Sequence, residues 1–464
     1  MSPNPLRNIP SVNELLESPP LRGLVDRISH NVVVSTVRTV LDEMRNEVQT
    51  AASEKTLPSV SDLAERIAQR IVAGEVPALR PAINATGILL HTGLGRSPLA
   101  EAAIEEMAAV ARDYASVELD LGSGQRSQRK VAVEGLLREL TGAEAAMVVN
   151  NNAGATMLAL AALAAGREVI VSRGQLIEIG GSYRLPEVMA ASGATLREVG
   201  TTNKTRLGDY RHAIGEQTAA LMLVHPSNFV VVGFTASVRL AELVELGRSQ
   251  KLPVVHDIGS GAMVDFSQFG FEGEPTARES IEAGADLVLF SGDKLLGGPQ
   301  CGIAVGRKAW IGQMETHPMA RALRVGKLTL SALAATLRLY RKPEMARREI
   351  PLLHLLTTSL ENLQNRAERL APQIAAAKAV AVAEAVQETT YLGGGSIPAQ
   401  RLATWCVAVK PVGMSVDRLA AALRSGSPSV VGRVQQDRLL LDLRSVLPRQ
   451  DTQLVAAVES VERG

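Results

Sequence analysis

The chain of 464 residues is too long for a single compact core, and its composition is that of an ordinary globular protein. Hydrophobic residues make up 46% and charged residues 21%, which excludes the disordered and fibrous classes and favours two or three domains. The net charge of +1 excludes a strong overall electrostatic field, so any contact with nucleic acid must come from local basic patches.

Cysteine content and hydropathy predict a cytoplasmic protein. The chain has only two cysteines, Cys301 and Cys406, which excludes a disulfide framework or a cysteine-rich metal site and fits a reducing compartment. The first twenty residues contain no apolar run long enough for a signal peptide, and no later stretch of about 18 residues is free of charge. We therefore expect no association with a membrane.

Residues 1–76 carry apolar residues at helical spacing, as in LLESPPLRGLVDRISHNVVVSTVRTVLDEM. Pro19 and Pro20 interrupt this pattern, which predicts that one helix ends before the next begins. The pattern predicts a small N-terminal helical domain. The turn-rich stretch from Gly74 to Pro81 then leads into a new domain.

The rest of the chain predicts one large and one small domain. In residues 77–330, short aliphatic runs such as REVIVS, AALMLV and DLVLF alternate with longer helical stretches rich in alanine and leucine. This alternation predicts an α/β fold with a largely parallel sheet and helices on both faces. Residues 331–464 begin with helical patterns and continue into strands such as WCVAVKP, which predicts a smaller α+β domain.

The segment DLVLFSGDKLLGGPQ places Lys294 just after an apolar strand, in a loop of small residues. A lysine in such a loop can be desolvated, so its pKa falls toward the range in which the free amine forms a Schiff base. The alternative is a solvated surface lysine, which is the commonest situation for this residue type.

The segment LPVVHDIGSG places Asp257 at the end of another apolar strand. A carboxylate there can pair with the protonated pyridine nitrogen of pyridoxal phosphate and keep the ring an effective electron sink. Alone, Asp257 is equally compatible with a helix cap or a turn. Because both strand ends belong at the carboxyl edge of an α/β sheet, the combination with Lys294 favours a pyridoxal-phosphate site.

The turn in VVNNNAGATM predicts a second part of this cofactor site. A helix that begins here would present backbone amides to the cofactor phosphate, although many α/β turns have a similar sequence by chance. The candidate residues in this turn are Asn151, Asn152, Ala153 and Gly154. Weaker candidates for contacts with the phosphate or the ring are Ser291, His225, Ser227 and Asn228.

Three arginines are candidates for a separate anion site. Arg96 lies in HTGLGRSP, and Arg321 and Arg324 lie in HPMARALRVGK. Three guanidinium groups brought together would bind a second oxyanion, distinct from the cofactor phosphate. The alternative is that these arginines are solvated or cap the ends of helices.

A series of blocks along the whole chain resembles the bacterial selenocysteine synthase family, the L-seryl-tRNA(Sec) selenium transferases. The blocks are INATGILLHTGLGRSPL, VVNNNAGA, SRGQLIEIGGSYRLPEVM, GTTNKT, VHPSNFVVVGFT, HDIGSG, SGDKLLGGPQCGI, RALRVGK, GGGSIP and VVGRVQQDRLLLDLR. Shorter relatives with the same core act on small amino acids or sugar acids and lack the N-terminal helical domain. The presence of that domain here favours the tRNA enzyme.

The resemblance implies a fold type I pyridoxal-phosphate enzyme that converts seryl-tRNA(Sec) to selenocysteinyl-tRNA(Sec) through an aminoacrylyl intermediate. It assigns the cofactor to Lys294, and the selenium donor, selenophosphate, to Arg96, Arg321 and Arg324. It also implies that residues 1–76 recognise the shape of the tRNA, which requires no large net charge. The family's assemblies imply a homo-oligomer, a ring of dimers such as a decamer, in which one subunit completes a neighbour's site.

The segment Gln125–Lys130 departs from the family pattern. Where a glycine–arginine stretch followed by Tyr-Ser-His is expected, this chain has GQRSQRKVAVE, which keeps Arg126 and Arg129 but lacks the tyrosine and histidine. Because the segment precedes the helix that leads to the predicted phosphate loop, we expect it to line the active site and to affect how substrates are handled.

Two other functions fit parts of the sequence. An enzyme of the same fold that acts on a free amino acid or an amino-sugar acid would not bind seryl-tRNA. A cofactor-free RNA-binding scaffold would be colourless when purified, and the presence of both Lys294 and Asp257 argues against it. None of these readings predicts a metal site or a DNA partner.

Overall fold

The computed structural model describes residues 9–50, 58–75, 77–179, 183–393 and 396–462. The chain forms two compact units, Met1–Pro81 and Ala82–Gly464. Across these described ranges, no helix combines the length and apolar composition needed to cross a membrane.

The described part of the first unit is helical. Its elements are α1 (Val12–Leu16), α2 (Pro19–Arg27), α3 (His30–Thr50) and α4 (Val60–Glu75). Ser11 caps α1 by accepting a hydrogen bond from the Glu14 amide at 3.2 Å. Pro19 and Pro20 occupy the first turn of α2, where the N–H that proline lacks would make no helical hydrogen bond. The core of the unit includes Leu15, Leu21, Val37, Leu41, Ile67 and Ile71.

The second unit contains two large sheets and their covering helices. Its strands are β1 (Ala82–Ala85), β2 (Ala145–Val149), β3 (Glu168–Ser172), β4 (Glu178–Ile179), β5 (Tyr183–Arg184), β6 (Thr195–Val199), β7 (Thr218–Val224), β8 (Val254–Gly259), β9 (Leu287–Ser291), β10 (Gly302–Gly306), β11 (Val380–Gly393), β12 (Ser396–Pro411), β13 (Ser429–Gln435) and β14 (Arg438–Asp442). Its helices are α5 (Glu101–Arg112), α6 (Val131–Thr141), α7 (Asn152–Ala164), α8 (Leu185–Ala191), α9 (Leu207–Ala213), α10 (Leu240–Gln250), α11 (Ala277–Glu282), α12 (Lys308–Thr316), α13 (Pro318–Ala322), α14 (Lys327–Leu339), α15 (Pro343–Glu349), α16 (Pro351–Thr357), α17 (Leu360–Ala375), α18 (Val416–Ser425) and α19 (Asp451–Glu459).

The first sheet has seven strands in the order β2-β10-β9-β8-β7-β3-β6. Strand β10 runs antiparallel to both of its neighbours, whereas the pairs from β9 to β6 are all parallel. Side chains of β9 alternate between two hydrophobic cores, with Val288 and Phe290 in one and Leu287 and Leu289 in the other. Because a strand's side chains point to opposite faces in turn, this alternation shows that both faces of the sheet are covered.

The second sheet has five strands in the order β1-β13-β14-β12-β11. Strand β1 follows the first unit directly in sequence, yet it pairs in parallel with β13 near the end of the chain. Helix α17 packs its apolar side against this sheet, in a core that contains Leu363, Leu370, Val407 and Leu441. The predicted division into residues 1–76, 77–330 and 331–464 remains a prediction.

A buried ion pair joins α17 to α19. The Arg366 guanidinium donates to Asp451 Oδ1 at 2.6 Å, and both side chains are 8% exposed. The exposed Arg369 donates to the other carboxylate oxygen at 2.6 Å. Replacing Asp451 with alanine would leave the Arg366 charge buried and unpaired, which is strongly unfavourable.

We therefore expect Asp451→Ala to lower the free energy of unfolding of the second unit by about 3–5 kcal/mol, measured by urea denaturation. The matched control is Glu384→Ala, because Glu384 makes a 3.2 Å ion pair with Arg438 but is 56% exposed. This control should change stability little. Equal effects of the two substitutions would contradict the prediction.

Candidate active site

Strands β2, β7, β8 and β9 point in the same direction, so their carboxyl ends meet at one edge of the sheet. A cavity of about 230 Å³ lies at this edge, where open α/β sheets bind ligands. It brings together most of the predicted site residues. Those that line it are Arg96, Asn151, Asn152, Ala153, His225, Ser227, Asp257, Ser291 and Lys294.

Lys294 follows β9 and is buried, with 5% of its surface exposed. Its pKa is lowered, first because burial disfavours the charged ammonium and then because the Arg96 guanidinium is close; the carboxylates of Asp257 and Asp293 oppose this shift. Among the described residues, no hydrogen bond or ion pair engages its amine. The Lys294 side chain thus presents to the cavity a buried amine that deprotonates more easily than an ordinary lysine.

The loop around Lys294 has its shape because it contains glycine. Gly297 has φ +73° and donates its amide to the Lys294 carbonyl oxygen at 3.0 Å. A Cβ at Gly292 would lie 2.7 Å from the Pro299 carbonyl oxygen, closer than real Cβ atoms approach. The small residues noted in the sequence therefore allow the chain to fold back tightly behind the lysine.

Asp257 lies on β8 and is held by three donors. Its Oδ1 accepts from Asn152 Nδ2 at 2.9 Å and from the Gly259 amide at 3.1 Å, and its Oδ2 accepts from Thr156 Oγ1 at 2.9 Å. Burial raises the pKa of Asp257, although these donors and Lys294 act in the opposite direction. The carboxyl group is thus fixed in orientation but poorly solvated, which suits it to pair with a cation inside the cavity.

Thr156 was missed by sequence reasoning, although the sequence contains a signal for it. It lies four residues after Asn152 in α7, so both side chains project from the same side of the helix. Apart from it, the helix beyond its first turn is entirely apolar. A single hydroxyl four residues after a candidate site residue predicts that both side chains contact the same group, here Asp257.

The predicted phosphate loop forms the start of α7. Asn151 caps the helix, because its side chain accepts a hydrogen bond from the Gly154 amide at 2.8 Å. The Gly154 N–H is therefore not available to a phosphate, and Gly154 does not line the cavity. The first-turn amides of Asn152 and Ala153 have no acceptor within the helix. The Asn152 Oδ1 is buried without a hydrogen-bond partner, which is an unsatisfied group of the kind that a bound ligand would satisfy.

His225 follows β7 and lies beside an acid that the sequence analysis did not identify. Its Nε2 lies 3.4 Å from Oε2 of Glu274, whose side chain is 2% exposed. Ser260 donates a hydrogen bond to the other oxygen of Glu274. Asn228, in contrast, does not line the cavity but donates to the Glu178 carbonyl oxygen at 2.9 Å, so the predicted contact of Asn228 with the cofactor is not supported by its position.

The three predicted arginines line two different cavities of the chain. Arg96 lines the Lys294 cavity and makes a 2.7 Å ion pair with Asp293. Arg321 and Arg324 line a different cavity of about 490 Å³, where Arg324 lies 3.3 Å from Glu118. The three-arginine clamp stays a prediction, because Arg96 and Arg324 pair with different carboxylates in this chain, Asp293 and Glu118.

Residues 126–130 of the divergent segment Gln125–Lys130 line the cavity of Arg321 and Arg324. Arg129 donates to Glu118 at 2.7 Å and to the Val325 carbonyl oxygen at 3.1 Å. The nearby guanidinium groups, Arg129 first and then Arg126, hold the pKa of Glu118 below its usual range. We call this cavity the basic cavity: Arg126, Arg129, Lys130, Arg321 and Arg324 line it, together with Glu118 and Glu315.

Comparison with known proteins identifies the family of the chain. The family pattern described as L-seryl-tRNA selenium transferase matches residues 82–447, and the pattern described as selenocysteine synthase N terminal matches residues 6–45. The L-seryl-tRNA(Sec) selenium transferase of Moorella thermoacetica is 48% identical over 464 residues, which cover 100% of this chain and 98% of the relative. The protein of the same name from Carboxydothermus hydrogenoformans is 45% identical over 447 residues, covering 96% and 95%.

Among solved structures, a D-glucosaminate-6-phosphate ammonia-lyase matches with a TM-score of 0.57 and 22% identity, covering 82% of this chain and 95% of that chain. This likeness concerns the fold alone and supports the predicted class, the α/β fold of fold type I pyridoxal-phosphate enzymes, which is confirmed. The resemblance noted in the sequence is confirmed as well. On the family pattern and the full-length relatives, the chain belongs to the L-seryl-tRNA selenium transferase family.

Proposed function

We propose that this protein uses pyridoxal phosphate to convert seryl-tRNA(Sec) to selenocysteinyl-tRNA(Sec), with selenophosphate as the selenium donor. The observation that carries the proposal is a buried amine, that of Lys294, which shares one cavity with the buried carboxyl group of Asp257. Membership of the family supplies the substrate class. An aminoacyl-tRNA substrate also favours a cytoplasmic location.

The residues of the cavity fit the cofactor. Lys294 would bind its aldehyde carbon, and Asp257 would pair with its ring nitrogen. The free first-turn amides of Asn152 and Ala153 would hold its phosphate, together with Ser291, and His225, which also lines the cavity, would contact the ring. When bound, the cofactor supplies an electron sink that stabilises negative charge at the substrate Cα.

The protein's own groups account for the proton transfers. With cofactor and substrate bound, the Lys294 amine would accept a proton from the substrate Cα, because its lowered pKa favours the neutral form. The Asp257 carboxyl group is fixed by Asn152 and Thr156, so it would hold the ring nitrogen in its protonated form without moving. Low exposure of both groups keeps water from competing for these protons.

Arg96 should tune the reactivity of Lys294. In the proposed reaction, Arg96→Gln removes a nearby positive charge and also releases Asp293. Both changes raise the pKa of Lys294, so cofactor loading, which requires the neutral amine, should reach half of its maximal rate at a higher pH than in the wild type. Stopped-flow absorbance across a pH series measures this. A shift to lower pH would contradict the prediction.

The basic cavity is the proposed site of the selenium donor. Several guanidinium groups there can bind an oxyanion by paired hydrogen bonds. Because Arg96 lines a different cavity of the same chain, a site with all three arginines would combine residues of neighbouring subunits. We therefore include in the proposal a homo-oligomer, such as the ring of dimers that the resemblance implies.

Alanine at Arg321 or Arg324 should leave cofactor binding intact and slow formation of selenocysteine by roughly 10- to 100-fold, the effect of losing one charged hydrogen-bonding partner. Cofactor absorbance and product formation are measured on the same samples. The matched control is Arg307→Ala, because Arg307 pairs with Asp286 and lines neither cavity. If the Arg321 or Arg324 variants lost the cofactor, these arginines would instead be assigned to cofactor binding.

The proposed function is tested by incubating the purified protein with seryl-tRNA(Sec), with and without selenophosphate, and identifying the aminoacyl group. Selenocysteine should form only when the donor is present. If the seryl group is unchanged and the tRNA does not bind, the proposal is wrong, and turnover of a free amino acid or amino-sugar acid would replace it. A colourless protein as purified would instead support the non-catalytic scaffold.

A further inference from the structure

A second cavity, of about 420 Å³, adjoins the cavity of Lys294. The two cavities share Val224 and His225 as lining residues. These two shared residues thus form the boundary between the cavities, and Glu274, the partner of His225, lines the side cavity. We call this space the side cavity, and neither the cofactor nor the selenium donor accounts for it.

One wall of the side cavity is formed by two segments that belong to the family-like blocks of the sequence. The GTTNKT segment and the loop that ends VHPSNFVVVGFT lie side by side. The Thr205 amide donates to the Ala236 carbonyl oxygen at 2.9 Å, and the Ala236 amide donates to the Asn203 carbonyl oxygen at 3.0 Å. The side-chain Nδ2 of Asn203 donates to the Phe234 carbonyl oxygen at 2.6 Å. These bonds tie the two segments into one continuous wall.

Another part of the lining, Glu272 and Gln400, is held by a reciprocal pair of hydrogen bonds. The Glu272 amide donates to Gln400 Oε1 at 3.0 Å, and Gln400 Nε2 donates back to the Glu272 carbonyl oxygen at 2.9 Å. This pair connects strand β12 of the small sheet to the loop before α11. The side cavity is therefore built from elements of both sheets rather than being a gap beside a single loop.

The lining of the side cavity combines flat apolar surface with free hydroxyl groups. Phe229 and Val231 supply apolar surface. Among the described residues, the hydroxyls of Thr202, Thr235 and Ser237 have no hydrogen-bond partner, although all three line the cavity. Single-stranded RNA ends are recognised by this combination, since bases stack on aromatic side chains and their edges and ribose hydroxyls form hydrogen bonds.

We propose that the side cavity binds the 3′-terminal adenosine of the aminoacyl-tRNA. This inference rests on the proposed function, because it takes the substrate to be seryl-tRNA. The serine is esterified to the ribose of that adenosine, so only a few bonds separate the serine Cα from the nucleoside. When the seryl group enters the Lys294 cavity, its nucleoside must occupy adjoining space, and the side cavity lies there with a matching lining.

The test uses 3′-deoxy-3′-(L-serylamino)adenosine, a stable amide analogue of the acceptor end, and the same seryl ribose without the base. Binding of each compound to the cofactor-loaded protein is measured by calorimetry. The adenosine compound should bind at least about tenfold more tightly, the size expected for one stacked base. Equal binding of the two compounds, or no binding of the adenosine compound, would overturn the inference.

Filling the side cavity should remove this difference. Thr235 and Ser237 are exposed on the wall, so Thr235→Trp and Ser237→Trp each place an indole in the cavity without disturbing a core. Each folded variant should bind the adenosine compound no better than the compound without the base. The matched control is Thr452→Trp on α19, at an exposed position outside both cavities, and it should bind as the wild type does.

The outcomes separate this inference from the proposed function. If seryl-tRNA(Sec) is converted but the base adds nothing to binding, the function stands and only the assignment of the side cavity is overturned. If the adenosine compound binds through its base but seryl-tRNA is not converted, the side cavity is a nucleoside site and the proposed function is wrong. Folded tryptophan variants that bind the adenosine compound as the wild type does would also overturn the assignment.

Discussion

Replacing Lys294 with alanine is expected to remove the visible absorbance of the bound cofactor and to lower turnover by at least roughly 10⁴-fold. The substitution removes the only amine that lies among the described residues lining the cavity. It therefore eliminates both the covalent attachment of the cofactor and the proposed acceptor of the substrate Cα proton. The absorbance spectrum and the rate of product formation report these two losses separately.

Two controls sharpen this test. Lys294→Arg keeps a positive charge but cannot form the covalent bond, so it should be as inactive as the alanine variant. Lys308→Ala removes an exposed lysine at the start of α12 and should change neither measurement. Retention of both absorbance and turnover in Lys294→Ala would disprove the assignment on which the proposed function depends.

Replacing Asp257 with asparagine is expected to have the second largest effect. Asparagine has the same shape and can keep hydrogen bonds to Asn152 and Thr156, but it cannot balance a positive charge on the cofactor ring. Turnover should fall by roughly 10²- to 10³-fold, the usual effect of losing one preorganised electrostatic contact, while the cofactor remains bound. Steady-state kinetics on the cofactor-loaded variant measure this.

The same substitution should raise the unfolding temperature of the cofactor-free protein. Burial raises the pKa of Asp257, which means that the folded state binds this proton more tightly than the unfolded state does. Ionisation at neutral pH therefore costs stability, and asparagine removes that cost. Asp417→Asn, at an exposed site in the first turn of α18, should change neither turnover nor stability. A fall in unfolding temperature with unchanged turnover would contradict both parts of the prediction.

The sequence by itself was sufficient to predict that Lys294 and Asp257, the proposed reactive pair, lie at one edge of the sheet. Lys294 and Asp257 each follow an apolar strand, and the carboxyl ends of parallel strands meet at one edge whatever the order of the strands. The capping residue Asn151 could be recognised in the same way, because a helix start has a local sequence signal. Such features depend on residues close together in the chain, so they can be predicted without knowledge of the tertiary structure.

Other residues of the site could not be placed from sequence. Glu274 reaches His225 only because the loop before α11 folds back over the end of β7. Arg96 and Arg324 carry the same charge and occur in similar loops, yet different carboxylates hold them in different cavities. A sequence pattern specifies that a guanidinium is present, but the partner it meets depends on the packing of segments roughly two hundred residues apart in the chain.

What the sequence determined, then, is local: the alternation of strands and helices, the strand-end lysine and aspartate, and the helix start beside them. Only the tertiary structure decided that β1 pairs with β13, that Gln400 joins Glu272, and that the GTTNKT segment forms a cavity wall. The physical reason is that hydrophobic periodicity reports which face of an element is buried. It does not report which distant element covers that face, and the side cavity exists because of those distant contacts.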